Sequence, residues 1–182
     1  MTDPGRAGKL KHHKKRCGLD IKIRLIAELS HASGTYGMVG GQMLDMKGEE
    51  RKLSLSELQL IHSNKTGKLL TFPVVAAGIV AGVADEELAN LRKTGSLIGL
   101  AFQVRDDILD VTASFEEIGK TPKKDLLADK ATYPSLLGLD KSYEILNQSL
   151  DQALAIFKNL SVTHGLHAEK ITEMIERLRL NA

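Results

Sequence analysis

The feature that most constrains this chain is a largely apolar stretch, residues 97–111, that contains three aspartates. If the stretch is helical, at about 100° per residue, four polar side chains share one stripe about 100° wide: Gln103, Asp106, Asp107 and Asp110. The rest of the helix surface is apolar except for Arg105. Carboxylates on one stripe of a buried helix repel one another and lose hydration unless a cation neutralises them. The pattern therefore predicts a buried helix with a divalent metal site.

The chemistry of these side chains narrows the choice of metal. An all-oxygen site with one or two carboxylates near each ion, and without histidine or cysteine, suits Mg²⁺ that retains waters and binds substrate phosphates. Calcium is less suitable because an EF-hand requires a glycine-containing loop with ligands at alternating positions, whereas these acids lie at i, i+1 and i+4 of a helix. A solvated acidic face, or acids paired with lysines, remains the alternative.

The composition predicts the fold class. With 182 residues, 42% of them hydrophobic, the chain can form one domain with a core. Leu, Ala, Lys and Glu dominate and aromatic residues make up only 4%, which favours an all-α fold. A single cysteine, Cys17, allows no internal disulfide and agrees with a reducing compartment. No run of about 18 apolar residues and no apolar signal segment is found, so we expect a cytoplasmic protein without membrane insertion.

Charge divides the chain into two parts. The first 24 residues contain eight Lys and Arg but two Asp, so the remainder is mildly acidic. We predict that residues 1–20 are a disordered basic leader and that residues 21–182 are one folded unit. The segment Lys9–Arg16 could alternatively bind nucleic acid or a membrane surface. Because no aromatic side chains are interleaved for base stacking, we expect no nucleic-acid partner.

Helix breakers and apolar periodicity divide the folded unit into elements. The first predicted elements are a long helix over Ile21–Met46, a helix capped by Ser54 or Ser56 that contains Lys65–Gly67, and a kinked or interrupted helix over Val74–Val83 behind Pro73. They are followed by a helix over Asp85–Asp110 with a break near Gly95, a loop over Thr112–Pro134 that could contain one turn of helix, and closing helices over Tyr143–Lys158 and His167–Leu180. Four glycines within the first helix indicate close packing against another backbone: Gly34, Gly37, Gly40 and Gly41.

The residues around the aspartates resemble a known family. The run Gly99–Val111 (GLAFQVRDDILDV), together with Gly119-Lys120, Asp125-Leu126 and Asp129–Pro134 (DKATYP), is similar to the second aspartate-rich region of farnesyl and geranylgeranyl diphosphate synthases. Upstream, Gly37–Met46 and Ile61–Gly67 are similar to the two preceding helices of that family in order and spacing. From about residue 21 to the end, the chain therefore resembles the C-terminal part of a trans-isoprenyl diphosphate synthase, most closely the bacterial short-chain members.

The resemblance implies part of an isoprenoid-synthase-type helical bundle, with about six of the family's roughly ten helices. No second DDxxD or DDxxxxD sequence occurs in the 182 residues, so we expect the half that carries the family's first aspartate motif to be missing. That half would also cover apolar surface. We therefore expect either a truncated gene product or a chain that associates with a second polypeptide, as a homodimer or with a full-length synthase. A non-catalytic homologue or partner subunit is the alternative function.

The implied activity is that of a geranyltranstransferase or farnesyl diphosphate synthase: a Mg²⁺-dependent, head-to-tail condensation of an allylic diphosphate with isopentenyl diphosphate. By resemblance, the Mg²⁺ ligands would be Asp106, Asp107 and Asp110, with Asp106 the principal one and Asp125 supporting them from behind. The diphosphate would be bound by Lys65, Lys120 and Lys130. Thr66, Gln103 and the Lys65 carbonyl would stabilise the carbocation. Taken singly, each could instead be an ordinary surface or helix polar residue, and Asp45 could pair with Gln42 in helix packing.

Overall fold

A computed structural model describes residues 18–49, 51–112, 131–164 and 168–180. Within those ranges all regular secondary structure is helical, which confirms the predicted all-α class. The α-helices are α1 (Leu19–Ser33), α2 (Met38–Gly48), α3 (Leu55–His62), α4 (Lys68–Ala81), α5 (Asp85–Thr112), α6 (Tyr133–Leu137), α7 (Leu139–His164) and α8 (Glu169–Glu176). A π-helical turn, Ser63–Gly67, joins α3 directly to α4.

The first predicted helix is two helices. α1 ends at Ser33 and α2 begins at Met38, so the single helix predicted over Ile21–Met46 was wrong. The turn between them depends on Gly37, where an added Cβ would lie 2.0 Å from the carbonyl oxygen of Ala32. A larger residue cannot occupy that position without moving the backbone, and the chain changes direction there.

The rod formed by α3, the π-helical turn and α4 begins as predicted. Ser54 caps α3 through a capping box in which the Ser54 N–H donates to the Glu57 carboxylate at 2.9 Å. The interruption predicted at Pro73 is absent, because α4 continues through this proline. Proline removes one backbone hydrogen bond from a helix. Buried packing on both sides of it, at Thr71 and Val75, holds the helix together.

The central helix of the bundle is α5, which packs between α4 and α7. It runs without the break predicted near Gly95. An added Cβ at Gly95 would lie 2.8 Å from the Cα of Thr71, so this glycine permits the close approach of α4 and does not end the helix.

Two apolar clusters hold the helices together. The larger joins α3, α5, α6, α7 and α8, and its buried members are Leu58, Ala101, Val104, Ile108, Tyr133, Leu146, Leu150, Leu154 and Ile175. The smaller joins α4 to the start of α5 and to α1 through Val75, Ile79 and Leu88, with Ile21, Leu25 and Val83 packed against them. Apolar clusters thus pack against two sides of α5, as the largely apolar surface of that helix predicted.

Several sequence predictions fall at the edges of the described ranges. α1 begins at Leu19, close to the predicted boundary at residue 21, and residues 1–17 of the predicted leader lie outside the described residues. The predicted loop is described only from residue 131 onward. α7 is longer than predicted, and α8 ends at Glu176, short of Leu180. Across the described ranges, no helix is both long enough and apolar enough to cross a bilayer.

Candidate functional site

The aspartates of α5 differ sharply in burial. Asp106 is exposed, Asp110 and Gln103 are half-buried, and the side chain of Asp107 is only 6% exposed. Neighbouring residues on a helix point about 100° apart, so the edge of the core passes between Asp106 and Asp107. The four polar groups predicted to share a single metal-binding stripe therefore do not share one environment.

Asp107 is held by the last residues of the predicted loop, where α6 begins. Its Oδ2 accepts a hydrogen bond of 2.8 Å from the backbone N–H of Tyr133, the first residue of α6. Thr132 caps α6, and its hydroxyl accepts from the Ser135 N–H at 3.2 Å while the Ser135 hydroxyl accepts from the Thr132 N–H. One oxygen of Asp107 is thus committed to the backbone of this cap.

Among the residues that the structure describes, no group of three or more His, Cys, Asp or Glu side chains is arranged to hold a metal ion. The aspartates of α5 therefore do not form a closed cage of protein ligands. A Mg²⁺ site does not require such a group, because this ion usually takes one or two carboxylates from the protein and completes its shell with water and phosphate oxygens.

The π-helical turn carries two of the predicted site residues, Lys65 and Thr66. Turns of this type inside α-helices are often found at functional sites, because the extra residue redirects side chains. The Lys65 ammonium donates to Asp45 Oδ2 of α2 at 2.5 Å, and both side chains are partly buried. An added Cβ at Gly41 would lie 2.2 Å from the Lys65 nitrogen, so α2 rests against the backbone of the turn. The close packing predicted for the glycines is found at this position.

Sequence reasoning missed the partner of Lys65. Asp45 pairs with this lysine and not with Gln42, the hydrogen-bond partner that helix packing suggested. The residues are 20 positions apart, on different helices, and no local spacing connects them. Opposite charge within two separately recognised motifs was the only signal available.

A second close approach brings the turn against α5. An added Cβ at Gly99 would lie 2.9 Å from the Cα of Gly67, the residue that follows Lys65 and Thr66. Gln103 and Asp106 lie four and seven residues beyond Gly99, on the same face of α5. The backbone contact therefore brings the Lys-Thr turn to the side of α5 that carries Gln103 and Asp106.

Tyr133 links these parts of the site and was missed as an individual residue. It is fully buried, and its ring lies against that of His62, with centroids 5.8 Å apart and planes inclined by 36°. His62 is the residue immediately before the π-helical turn. Burial raises the pKa of the Tyr133 phenol to about 12. The sequence indicated Tyr133 only as part of the DKATYP run.

A pocket of about 630 Å³ opens between α1, α4 and α5. Its wall includes an ion pair that the sequence did not predict, in which Arg92 donates to both oxygens of Glu28 at 2.6 and 2.9 Å. Arg92 holds the pKa of Glu28 below its usual range. Arg92 and Ser96 lie eleven and seven residues before Gln103, so the pocket lies along the same face of α5.

Three predicted site residues lie outside the described residues: Lys120, Asp125 and Lys130. The structure therefore leaves their roles as predictions. It describes all the others: Lys65, Thr66, Gln103, Asp106, Asp107 and Asp110.

The described helices thus form a bundle in which an aspartate-bearing central helix lies beside a Lys-Thr turn. A sequence profile of the polyprenyl synthetase family matches residues 10–171, and the chain belongs to this family.

Individual relatives agree. The chain is 48% identical over 158 residues to a farnesyl diphosphate synthase of Micrococcus luteus, a match that covers 87% of this chain and 54% of that protein. It is 43% identical to a farnesyl diphosphate synthase of Bacillus subtilis, over 85% of this chain and 52% of the relative. The chain thus spans about half the length of these curated relatives.

Solved structures give the same picture. A geranyltransferase from Helicobacter pylori, crystallised with magnesium and isoprenyl diphosphate, superposes with a TM-score of 0.75 at 33% identity. The superposition covers 88% of this chain and 53% of that chain. This similarity confirms that the helices form part of an isoprenyl-synthase bundle.

Proposed function

We propose that this chain supplies the second aspartate-rich half of a prenyltransferase site, which condenses an allylic diphosphate with isopentenyl diphosphate head to tail. The observation that carries the proposal is the contact between Gly67 and Gly99, which brings the Lys-Thr turn to the face of α5 that carries Asp106. The matched relatives are named as synthases, and this favours catalysis over a non-catalytic role.

The donor set of α5 fits Mg²⁺. Asp106 and Asp110 are one turn apart, both with some exposure, and offer only carboxylate oxygens. These two residues would hold the ion. When bound, the ion would neutralise charge that develops on the departing diphosphate. Asp107, with one oxygen bonded to Tyr133, is the least available of the three.

The remaining side chains have roles that follow from their chemistry. The Lys65 ammonium would bind the diphosphate as a point charge, while Asp45 holds it at the turn. The Thr66 hydroxyl and the Gln103 amide oxygen would face the allylic cation and stabilise it. By resemblance to the family, Lys120 and Lys130 would add further positive charge around the diphosphate, and Asp125 would support the metal ligands.

The test separates binding from turnover. Calorimetric titration with inorganic diphosphate should show binding that requires Mg²⁺ and that Asp106→Asn weakens at least about 10-fold. Asp140→Asn, in the exposed first turn of α7, is the matched control and should leave binding unchanged. Dimethylallyl or geranyl diphosphate with labelled isopentenyl diphosphate then tests condensation. Mg²⁺-dependent binding that survives Asp106→Asn would disprove the assigned role.

We also propose that the protein acts in the cytoplasm.

We further propose that a second polypeptide, such as another copy of this chain, contacts α1 and α2. The support for this contact is a set of large apolar side chains that are more than half exposed on these helices and the turn between them: Leu19, Ile23, Ile26, Tyr36, Val39, Met43 and Met46. Analytical ultracentrifugation should show a dimer or larger species. Ile23→Glu with Ile26→Glu should dissociate it, and a compact monomer at every concentration would exclude self-association.

A further inference from the structure

We propose that Asp107 is a positioning residue. It fastens the cap of α6 to α5 and, through Tyr133, supports the Lys-Thr turn, and it does not act as a ligand of the metal. The inference rests on the proposed function and refines it, because the aspartate motif then divides into one residue that faces the ligands and one that faces the core.

The first support is the contact of Asp107 itself. Its Oδ2 accepts the Tyr133 N–H at 2.8 Å, and both residues are buried, at 6% and 0% exposure. A hydrogen bond between a carboxylate and a backbone N–H is charge-assisted, and burial removes the water that would compete with it. Rotating this carboxylate outward to meet a metal ion would leave a buried backbone N–H without its acceptor.

The second support is the position of Tyr133. The N–H that meets Asp107 belongs to the first residue of α6, whose Thr132 cap is closed by Ser135. The ring of the same tyrosine lies against His62, which directly precedes the turn that carries Lys65. A single fully buried residue therefore contacts both α5 and the base of the Lys-Thr turn.

The third support is the contrast with Asp106. The two carboxylates are adjacent in sequence, yet Asp106 is exposed and Asp107 is almost completely buried. The core residues Val104 and Ile108 lie nearer to Asp107 than to Asp106 around the helix, so Asp107 is on the core side. The two aspartates are therefore expected to respond differently to the same substitution.

The experiment compares Asp107→Asn, Asp107→Ala and Asp106→Asn in the 182-residue chain. Calorimetry measures the Kd of inorganic diphosphate at saturating Mg²⁺ and the Mg²⁺ concentration that gives half-maximal binding. Hydrogen exchange of the Tyr133 amide is followed by NMR. The side chain in Asp107→Asn retains an oxygen that can accept the Tyr133 N–H. The Kd and the Mg²⁺ midpoint of this variant should therefore stay within about 3-fold of wild type.

Asp107→Ala should weaken diphosphate binding by about 10-fold or more without moving the Mg²⁺ midpoint, and should accelerate exchange of the Tyr133 amide at least about 100-fold. Asp106→Asn should weaken diphosphate binding at least about 10-fold, raise the Mg²⁺ midpoint and leave the Tyr133 amide protected. If Asp107→Asn raises the Mg²⁺ midpoint as Asp106→Asn does, Asp107 is a metal ligand and the proposal is wrong.

Two outcomes separate this inference from the proposed function. If the wild-type chain binds no Mg²⁺-diphosphate, the proposed function fails, and exchange of the Tyr133 amide in wild type and in the asparagine variant still decides whether Asp107 is an anchor. Rapid exchange of the Tyr133 amide in wild type would show that Asp107 does not hold α6. If Asp107→Ala does not fold, exchange of the Tyr133 amide in wild type and in Asp107→Asn still shows whether Asp107 holds α6. The Mg²⁺ midpoint of Asp107→Asn still shows whether Asp107 binds the metal.

Discussion

The ammonium of Lys65 and the carboxylate of Asp45 meet at 2.5 Å across 20 residues of sequence, and they connect the π-helical turn to α2. Without Asp45, the Lys65 side chain would sample many rotamers, and binding of an anionic ligand would have to restrict them. The ion pair thus restricts the Lys65 ammonium, the group to which the proposed function assigns the diphosphate. It also links two segments that sequence analysis recognised separately.

Removing this tether should weaken binding more than it weakens the fold. Asp45→Ala is expected to lower the affinity for Mg²⁺-diphosphate by about 3- to 10-fold. Because both side chains are about a third exposed, the cost in unfolding free energy should be at most about 1 kcal/mol. Calorimetry and urea unfolding measure the two effects. Asp85→Ala, whose pair with Arg24 is exposed at 3.9 Å, serves as the control, and equal loss of affinity in both variants would contradict the prediction.

The crossing of Gly67 and Gly99 should tolerate no side chain. Gly99→Ala adds a Cβ that would lie 2.9 Å from backbone, so α5 and the turn must separate, at a cost of about 1–3 kcal/mol. Ser96→Ala, one turn earlier on an exposed position of the same helix, should cost less than about 0.5 kcal/mol. Urea unfolding of the two variants makes the comparison. A stable Gly99→Ala protein with unchanged diphosphate binding would show that the crossing does not position the site.

The α3 cap should make stability depend on acid pH. Hydrogen bonds from the backbone and hydroxyl of Ser54, with that from Arg51, lower the pKa of Glu57 to about 2. Because the folded-state pKa is lower than the unfolded value, this contribution is present above about pH 4.5 and is lost as pH falls through about 2. The urea midpoint of wild type should fall faster over this window than that of Glu57→Gln. Glu86→Gln, on the exposed start of α5, should follow wild type.

Tyr133 should report on the core at alkaline pH. Burial raises its pKa to about 12, so its contribution to stability is present below about pH 10 and is lost as pH rises through about 12. Absorbance of the phenolate at increasing pH should therefore show a late ionisation step near pH 12. Tyr133→Phe should remove only the late step. If Tyr133→Phe instead removes a step near about pH 10, the core around α6 is open.

Local signals predicted the starts of helices well. The Ser54–Glu57 capping box depends on residues three apart, so it can be recognised without knowledge of the fold. The apolar circumference of α5 likewise predicted its burial. Both features depend on residues that lie close together in the sequence.

The glycines were harder to interpret, since one residue type has two uses. At Gly37 the absence of a side chain allows the chain to turn, whereas at Gly95 and Gly99 it allows another backbone to approach a continuous helix. Sequence alone does not separate these cases, because the deciding neighbour, Thr71 or Gly67, lies more than 20 residues away.

The aspartates show the same limit for a site. The helical repeat fixes the angle between Asp106 and Asp107 but not the position of the core around that angle. That position is set by α6 and α7, which pack against α5 from later in the chain. The family resemblance identified the motif, and tertiary packing then assigned different surroundings to its members.

The π-helical winding of Ser63–Gly67 sets the rotation of α4 relative to α3. Since α3 and α4 form one continuous rod, rewinding the same five residues as a regular α-helix would rotate everything after them by about 100°, the angle of one residue. Val75 and Ile79 would then leave their apolar partners in the smaller cluster, and Gly67 would no longer face α5. Deleting the extra residue would keep α4 in phase, whereas losing the π-helical winding at constant length changes the phase of the whole of α4.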